Sequence, residues 1–114
     1  MRVLLDEQLP RQLAPYLTGH AVRTVQQERW AGLTNGALLR QAEAAGFHLF
    51  VTGDQNLEFQ QNLRTVRLRI VLLEAASNAL EDLLPLVPSM LVAMATVQPG
   101  QMIRVSDSDT RNVG

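Results

Sequence analysis

Short, nearly continuous apolar runs alternate along the chain with longer segments whose apolar residues recur every three or four positions. Arg2-Val3-Leu4-Leu5 is the first such run and stops at Asp6-Glu7, which reads as a buried strand with carboxylates at its carboxyl end. Pro10 suits the first turn of a helix, and Leu13, Ala14 and Leu17 give that helix an apolar face before Thr18-Gly19-His20 ends it. Ala21 to Val25 alternates as a second, more exposed strand. Thr34 or Asn35 can cap the next helix, with Leu38, Leu39, Ala42 and Ala45 facing inward and Gly46 as its stop. Phe47 to Thr52 predicts a third strand, followed closely by Asp54, and Gln55 to Leu63 a short helix that buries Leu57 and Phe59. Arg69 to Leu73 predicts a fourth strand, ending at Glu74.

Ser77 or Asn78 is placed to cap the long apolar segment Leu80 to Val97. Pro85 and Pro88 fall inside that segment, and each removes a donor and crowds the preceding turn, so a break is expected there. Pro99-Gly100 predicts a turn, Met102 to Val105 a last strand, and Ser106 to Gly114 a polar tail. Strands alternating with helices argue for a parallel sheet, and strands this apolar are buried on both faces. The expectation is one α/β domain over residues 1–105, three layers deep, with a mostly parallel sheet of about five strands and a tail over 106–114.

Composition narrows what such a domain can do. Hydrophobic residues make up 46% of the 114 positions, enough to drive burial and too much for a wholly disordered chain. Prolines and charges interrupt every apolar run before it reaches the roughly 20 residues of a membrane span, and no signal-peptide pattern opens the chain. A cytoplasmic protein is the expectation. Cysteine is absent, which removes disulfides, thiolate metal sites and thiol nucleophiles. All ten basic residues are arginine, so Schiff-base and P-loop lysine chemistry is excluded too. A net charge of −1 argues against a globally basic nucleic-acid binder, while arginine remains suited to local phosphate contacts.

The carboxylates carry the chemical signal. In open parallel sheets, ligands bind beyond the carboxyl ends of the strands, at the switch point of the strand order. Asp6 follows strand one and Asp54 follows strand three, so the two converge if those strands are neighbours. Converging carboxylates repel unless a cation or a shared proton lies between them. An oxygen-only donor set favours a hard ion such as Mg²⁺ or Mn²⁺. Taken singly, an acid after a strand is also an ordinary first-turn residue of the next helix.

Three stretches carry a family resemblance: Val3-Leu4-Leu5-Asp6-Glu7-Gln8-Leu9-Pro10, Trp30 to Leu39, and Val51-Thr52-Gly53-Asp54-Gln55-Asn56-Leu57. Together they resemble the small PIN-like proteins of the DUF5615 family, compact relatives of the PIN-domain ribonucleases that include the VapC toxins of bacterial toxin–antitoxin systems. The resemblance runs from Met1 to about Val105. It implies a PIN-like fold, carboxylates that hold Mg²⁺ or Mn²⁺, cleavage of RNA by an activated water, and an antitoxin protein as a partner. By position, Asp6 matches the family's first acidic residue and Asp54 the one in its Thr-x-Asp motif. Asn35 falls where the family commonly has Asp, Asn56 where a second Asp often follows, and Gln8 replaces a frequent Asn. The resemblance thus implies Asp6, Asp54 and Asn35 as the metal and catalytic set, with amides thinning its charge; Glu7 adjoins Asp6 but is expected to point to the other side of the chain, and Glu28 and Glu58 are remoter substitutes. A second expectation keeps the fold without turnover: a binding module, degenerate at Asn35 and Asn56, that engages an antitoxin or a second copy of itself.

A receiver-like signalling domain also places acids after strand one and a phosphoacceptor Asp after strand three. It needs a lysine after strand five and a hydroxyl residue after strand four, where this chain has no lysine and reads Leu73-Glu74-Ala75. His20 and His48 are isolated and read as turn or strand-edge residues. Arg64, Arg67 and Arg69 cluster before strand four, as a solvated edge or as contacts to RNA phosphates. Trp30 packs beneath its loop or stacks on a base, and Met90, Leu91 and Met94 read as core or as a subunit contact.

Overall fold

The computed structural model describes residues 1–57 and 66–107. Five strands form one sheet: β1 (Arg2–Leu5), β2 (Ala21–Thr24), β3 (Leu49–Thr52), β4 (Arg69–Glu74) and β5 (Met102–Ser106). Their order is β2-β1-β3-β4-β5, and every neighbouring pair is parallel. The single α/β sheet expected from the sequence is therefore present, and it is parallel throughout. β5 reaches Ser106, one residue into the segment read as tail. Among the described residues no helix is long and apolar enough to cross a membrane.

Side-chain alternation along the central strands sorts the core into two layers. Val3, Leu5, Leu49, Val51, Val71 and Leu73 face one side, where Leu13, Leu17, Leu83, Leu86, Met90 and Met94 cover them. Leu4, Phe50 and Ile70 face the other, against Leu38, Leu39, Ala42, Phe47 and Leu57. That sandwich of helices on both faces is the three-layer arrangement the apolar strands called for. Met90 and Met94 are core, with Leu91 packed at its margin.

Helix α1 (Asn35–Ala44) shows the local chemistry its sequence predicts. Thr34 is the N-cap, its hydroxyl accepting from the Ala37 N–H. At the other end Gly46 takes φ +87°, its N–H bonds the Glu43 carbonyl, and the Phe47 N–H reaches back to Ala42. This is the Schellman arrangement, which needs a left-handed residue after the cap. Ala45, expected to face inward, is exposed, because it is the cap and no longer part of the apolar stripe.

Two expectations change. Residues Arg11–Tyr16 form a 3-10 helix, with i to i+3 bonds from Leu13 to Pro10 and from Leu17 to Ala14. Pro15 inside it has no N–H to offer an α-helical ladder, and Pro10 is the cap residue instead of the first turn. The segment after β4 breaks at the prolines as expected, into α2 (Leu80–Leu83), a 3-10 turn (Leu84–Leu86) and α3 (Val87–Thr96). Neither Ser77 nor Asn78 is its N-cap; Ala79 is, while the Ser77 hydroxyl donates to Asp82 and accepts from the Ala79 N–H. The helix expected over 55–63 lies mostly outside the described residues, as does Phe59, but Leu57 is fully buried.

From β2 to β3 the chain crosses the face covered by α1 and passes over β1. From β4 to β5 it moves in the same direction across the opposite face, so the two crossovers have opposite hands. Parallel units nearly always share the right hand.

Candidate functional site

The strand order fixes the site. The first crossover carries the chain from β1 to one neighbour, β2; the second reverses and returns it to the other neighbour, β3. At such a reversal the connections part above adjacent strands and leave a crevice at their carboxyl ends. Asp6 and Asp54 stand on the two sides of that crevice. Leu5 and Val51 are register partners, and the Asp6 N–H donates to the Val51 carbonyl at 2.9 Å. The convergence expected from the sequence is realised.

Asp6 is only 5% exposed. One carboxylate oxygen accepts the Glu7 N–H at 2.7 Å, and the other accepts the Thr52 hydroxyl at 2.5 Å. Burial pushes the Asp6 carboxyl above its ordinary value; the two hydrogen bonds pull it back, and the charges of Glu7 and Asp54 push it up again. Thr52 is fully buried, and its hydroxyl has two tasks, since it also accepts the Asp54 N–H at 3.0 Å. One side chain therefore ties both acids together. Its signal was present in the sequence as a hydroxyl closing an otherwise apolar strand.

Asp54 is half-buried. Its Oδ1 accepts the Asn56 N–H and its Oδ2 the Asn35 amide, each at 3.0 Å. Asn35, at the start of α1, is thus brought to the site, and in this arrangement it donates to Asp54 through its nitrogen. Asn56 supplies its backbone N–H. Among the described residues each of the four carboxylate oxygens accepts one hydrogen bond, and an ionised carboxylate has about four acceptor positions, so each oxygen keeps capacity for a cation.

Glu7, Glu28 and Glu74 have other partners. Glu7 is exposed and turns toward the Gly32 N–H, 3.5 Å away. Glu28 forms an ion pair with Arg23, and Glu74 one with Arg104 at 2.9 Å. Glu58 lies outside the described residues. Among the described residues, no group of three or more His, Cys, Asp or Glu is placed to hold a metal. Two carboxylates fit Mg²⁺, which keeps several waters and is commonly held by one or two carboxylates together with substrate phosphates. They do not make a closed cage.

No family model, curated protein or solved structure matches the chain.

Two neighbours of the site were given no role in it by the sequence. Gln55 spans β3 and β4, its amide donating to the Leu73 carbonyl at 2.7 Å and to Gly53 at 3.1 Å. Asn78 lies against Gly53, where an added Cβ would meet its Oδ1 at 2.8 Å. Trp30 packs edge-on against Phe47, with centroids 5.8 Å apart, which accounts for it as a structural residue. His20 sits 3.5 Å from the chain's amino group, and partial burial and that charge lower its pKa; His48 accepts the Arg2 N–H. Both histidines lie away from the carboxylates, as turn and strand-edge residues.

Proposed function

We propose that this protein is a metal-dependent endoribonuclease of the PIN-like kind its sequence resembles, acting on single-stranded RNA as the toxin component of a toxin–antitoxin pair. The observation that carries the proposal is the pairing of Asp6 and Asp54 at the β1/β3 switch point, joined through the Thr52 hydroxyl. Mg²⁺ or Mn²⁺ held by the two carboxylates would supply charge neutralisation at the scissile phosphate and a water acidified for attack. Asp6 is the pre-set ligand, because the Glu7 N–H and Thr52 hydroxyl fix both its oxygens before anything binds. Asp54 is the more accessible ligand, and Asn35 and Asn56 orient it by donating to its two oxygens. Asn35 acts here as a positioning residue.

The test is Mn²⁺- or Mg²⁺-dependent cleavage of single-stranded RNA, removed by EDTA and by Asp54→Asn. Cleavage that survives either treatment overturns the proposal.

The thin charge of the site favours a second reading, a PIN-like binding module without turnover that engages an antitoxin or a second copy. Two carboxylates attended by amide donors bind a dication more weakly than the richer acidic sets of working nucleases. Metal titration alongside the cleavage assay separates the two. The strand order is also the flavodoxin-like one used by receiver-like sheets. Against that minor reading stand the absence of lysine and the Glu74–Arg104 pair at the ends of β4 and β5.

A further inference from the structure

At the opposite end of the sheet lies a cavity of about 230 Å³, walled by Glu43, Phe47, His48, Arg67, Leu68 and Arg69. The whole of β3 separates it from the carboxylates, about 13 Å of strand. We propose that this cavity binds a phosphate group, as a monoester dianion or as inorganic phosphate. The proposal stands independently of whether the carboxylate end cuts RNA.

Three donor-bearing side chains line this space: His48 just before β3, Arg67 just before β4 and Arg69 at its start. Arg67 is exposed, and its guanidinium has no hydrogen-bond or ion-pair partner among the described residues. Arg69 is half-buried and anchored, its Nε donating to the Val97 carbonyl at 3.2 Å. One of its five N–H donors is thereby used and the guanidinium is held in place. His48 accepts the Arg2 N–H on Nδ1 at 2.9 Å, so the neutral ring carries its proton on Nε2, as a donor. Planar guanidiniums match the paired oxygens of phosphate, and holding them beforehand lowers the ordering cost of binding.

The surroundings strengthen the field. Phe47, Leu68 and Pro99 line the same space with apolar surface, which reduces screening. Arg2 adds a further cation, stacked 4.5 Å over the Phe47 ring and tied to the Ala45 carbonyl at 2.7 Å. The opposing charge is Glu43, whose carboxylate accepts the Arg67 backbone N–H. That bond fixes the start of the β4 approach and places one carboxylate among the cations. The balance favours a dianion, and Glu43 tempers it.

The test is a phosphate titration at constant ionic strength, with chloride as the reference anion, read from the arginine Nε–H and His48 ring resonances. Saturable shifts at Arg67, Arg69 and His48 are expected. Arg67→Gln should weaken binding about tenfold, the value of one charge-assisted hydrogen bond, and it breaks no hydrogen bond or ion pair of that guanidinium among the described residues. Glu43→Gln keeps an acceptor for the Arg67 N–H while removing the negative charge, and should tighten binding roughly threefold. A gain of affinity cannot come from misfolding. No saturable response to phosphate overturns the proposal, as does unchanged affinity in both variants. A nucleoside monophosphate and a 5′-phosphorylated RNA, each against its unphosphorylated form, identify the source of the phosphate. Equal binding of phosphorylated and unphosphorylated forms in both pairs also overturns it.

Discussion

Thr52 is the residue on which the geometry of the carboxylate pair depends, and replacing it by valine is a sharp perturbation. Valine keeps the size and β-branching, so strand packing is preserved and only the hydroxyl is lost. Its removal deletes a hydrogen bond to a buried carboxylate, worth about 1.5–3 kcal/mol, and leaves the Asp54 N–H without its acceptor, about 1 kcal/mol more. The sum is about 3 kcal/mol. With an unfolding entropy of about 2.1 cal/mol/K per residue, that lowers the melting temperature by about 12 °C. Thr52→Ser retains the hydroxyl and should lose about 1 kcal/mol, for one buried methyl.

The pH dependence carries the sharper signature. Burial raises the Asp6 pKa in the folded state above 3.8, so the folded chain holds that proton more tightly than the unfolded one. Stability from this group is therefore greatest in acid and is lost as pH rises from 3.8 through the folded value. The Thr52 hydroxyl opposes the rise by stabilising the carboxylate; without it the folded pKa climbs further. The deficit of Thr52→Val should accordingly be full at neutral pH and shrink progressively in acid, as the carboxyl takes up its proton. Denaturant melts in EDTA, at a series of pH values from 7.5 down to the acid limit of the fold, measure it. A deficit below about 1 kcal/mol at neutral pH, or one of equal size across the whole series, refutes the assigned role of the hydroxyl.

Two further outcomes follow from the same structure. Asn35→Asp puts a carboxylate where an amide now donates to Asp54, so melting in EDTA should fall by a few degrees while Mn²⁺ affinity by calorimetry rises; equal or weaker affinity means that position 35 does not face the bound ion. Gly46→Ala forces a Cβ onto a residue at φ +87° and within 2.9 Å of the Arg2 guanidinium, and should cost about 1–2 kcal/mol in a denaturant melt, whereas a neutral effect would mean that the end of α1 rearranges freely.

How much of this was legible beforehand depends on whether a feature is local. The Gly46 stop, the Thr34 cap and the break at Pro85 and Pro88 are local, and the sequence predicts each from its own few residues. The 3-10 form of Arg11–Tyr16 is local as well, but Pro15 had to be weighed against the apolar spacing of Leu13 and Leu17, and the spacing alone suggests an α-helix. Asp6 and Asp54 could be named because acids directly after apolar runs stand out, yet their meeting depends on strand order, which no stretch of sequence encodes. The tie through Thr52, and the approach of Asn78 to Gly53, exist only once β1, β3 and the segment after β4 are side by side.

That dependence on chain direction also explains why a protein of net charge −1 has two ends of opposite character. In a parallel sheet every strand starts at one end and finishes at the other. Arg2, Arg67 and Arg69 precede or open strands; Asp6, Glu7, Asp54 and Glu74 close or follow them. These three arginines therefore lie at the amino end and these four carboxylates at the carboxyl end, without any one segment being strongly charged. Arg23 in β2 and Arg104 in β5 are ion-paired to Glu28 and Glu74, which leaves Asp6 and Asp54 outside those pairs. A field divided in this way would favour a cation at the β1/β3 crevice and an anion at the cavity beside β4. Total charge conceals the division, because the two contributions nearly cancel in the sum.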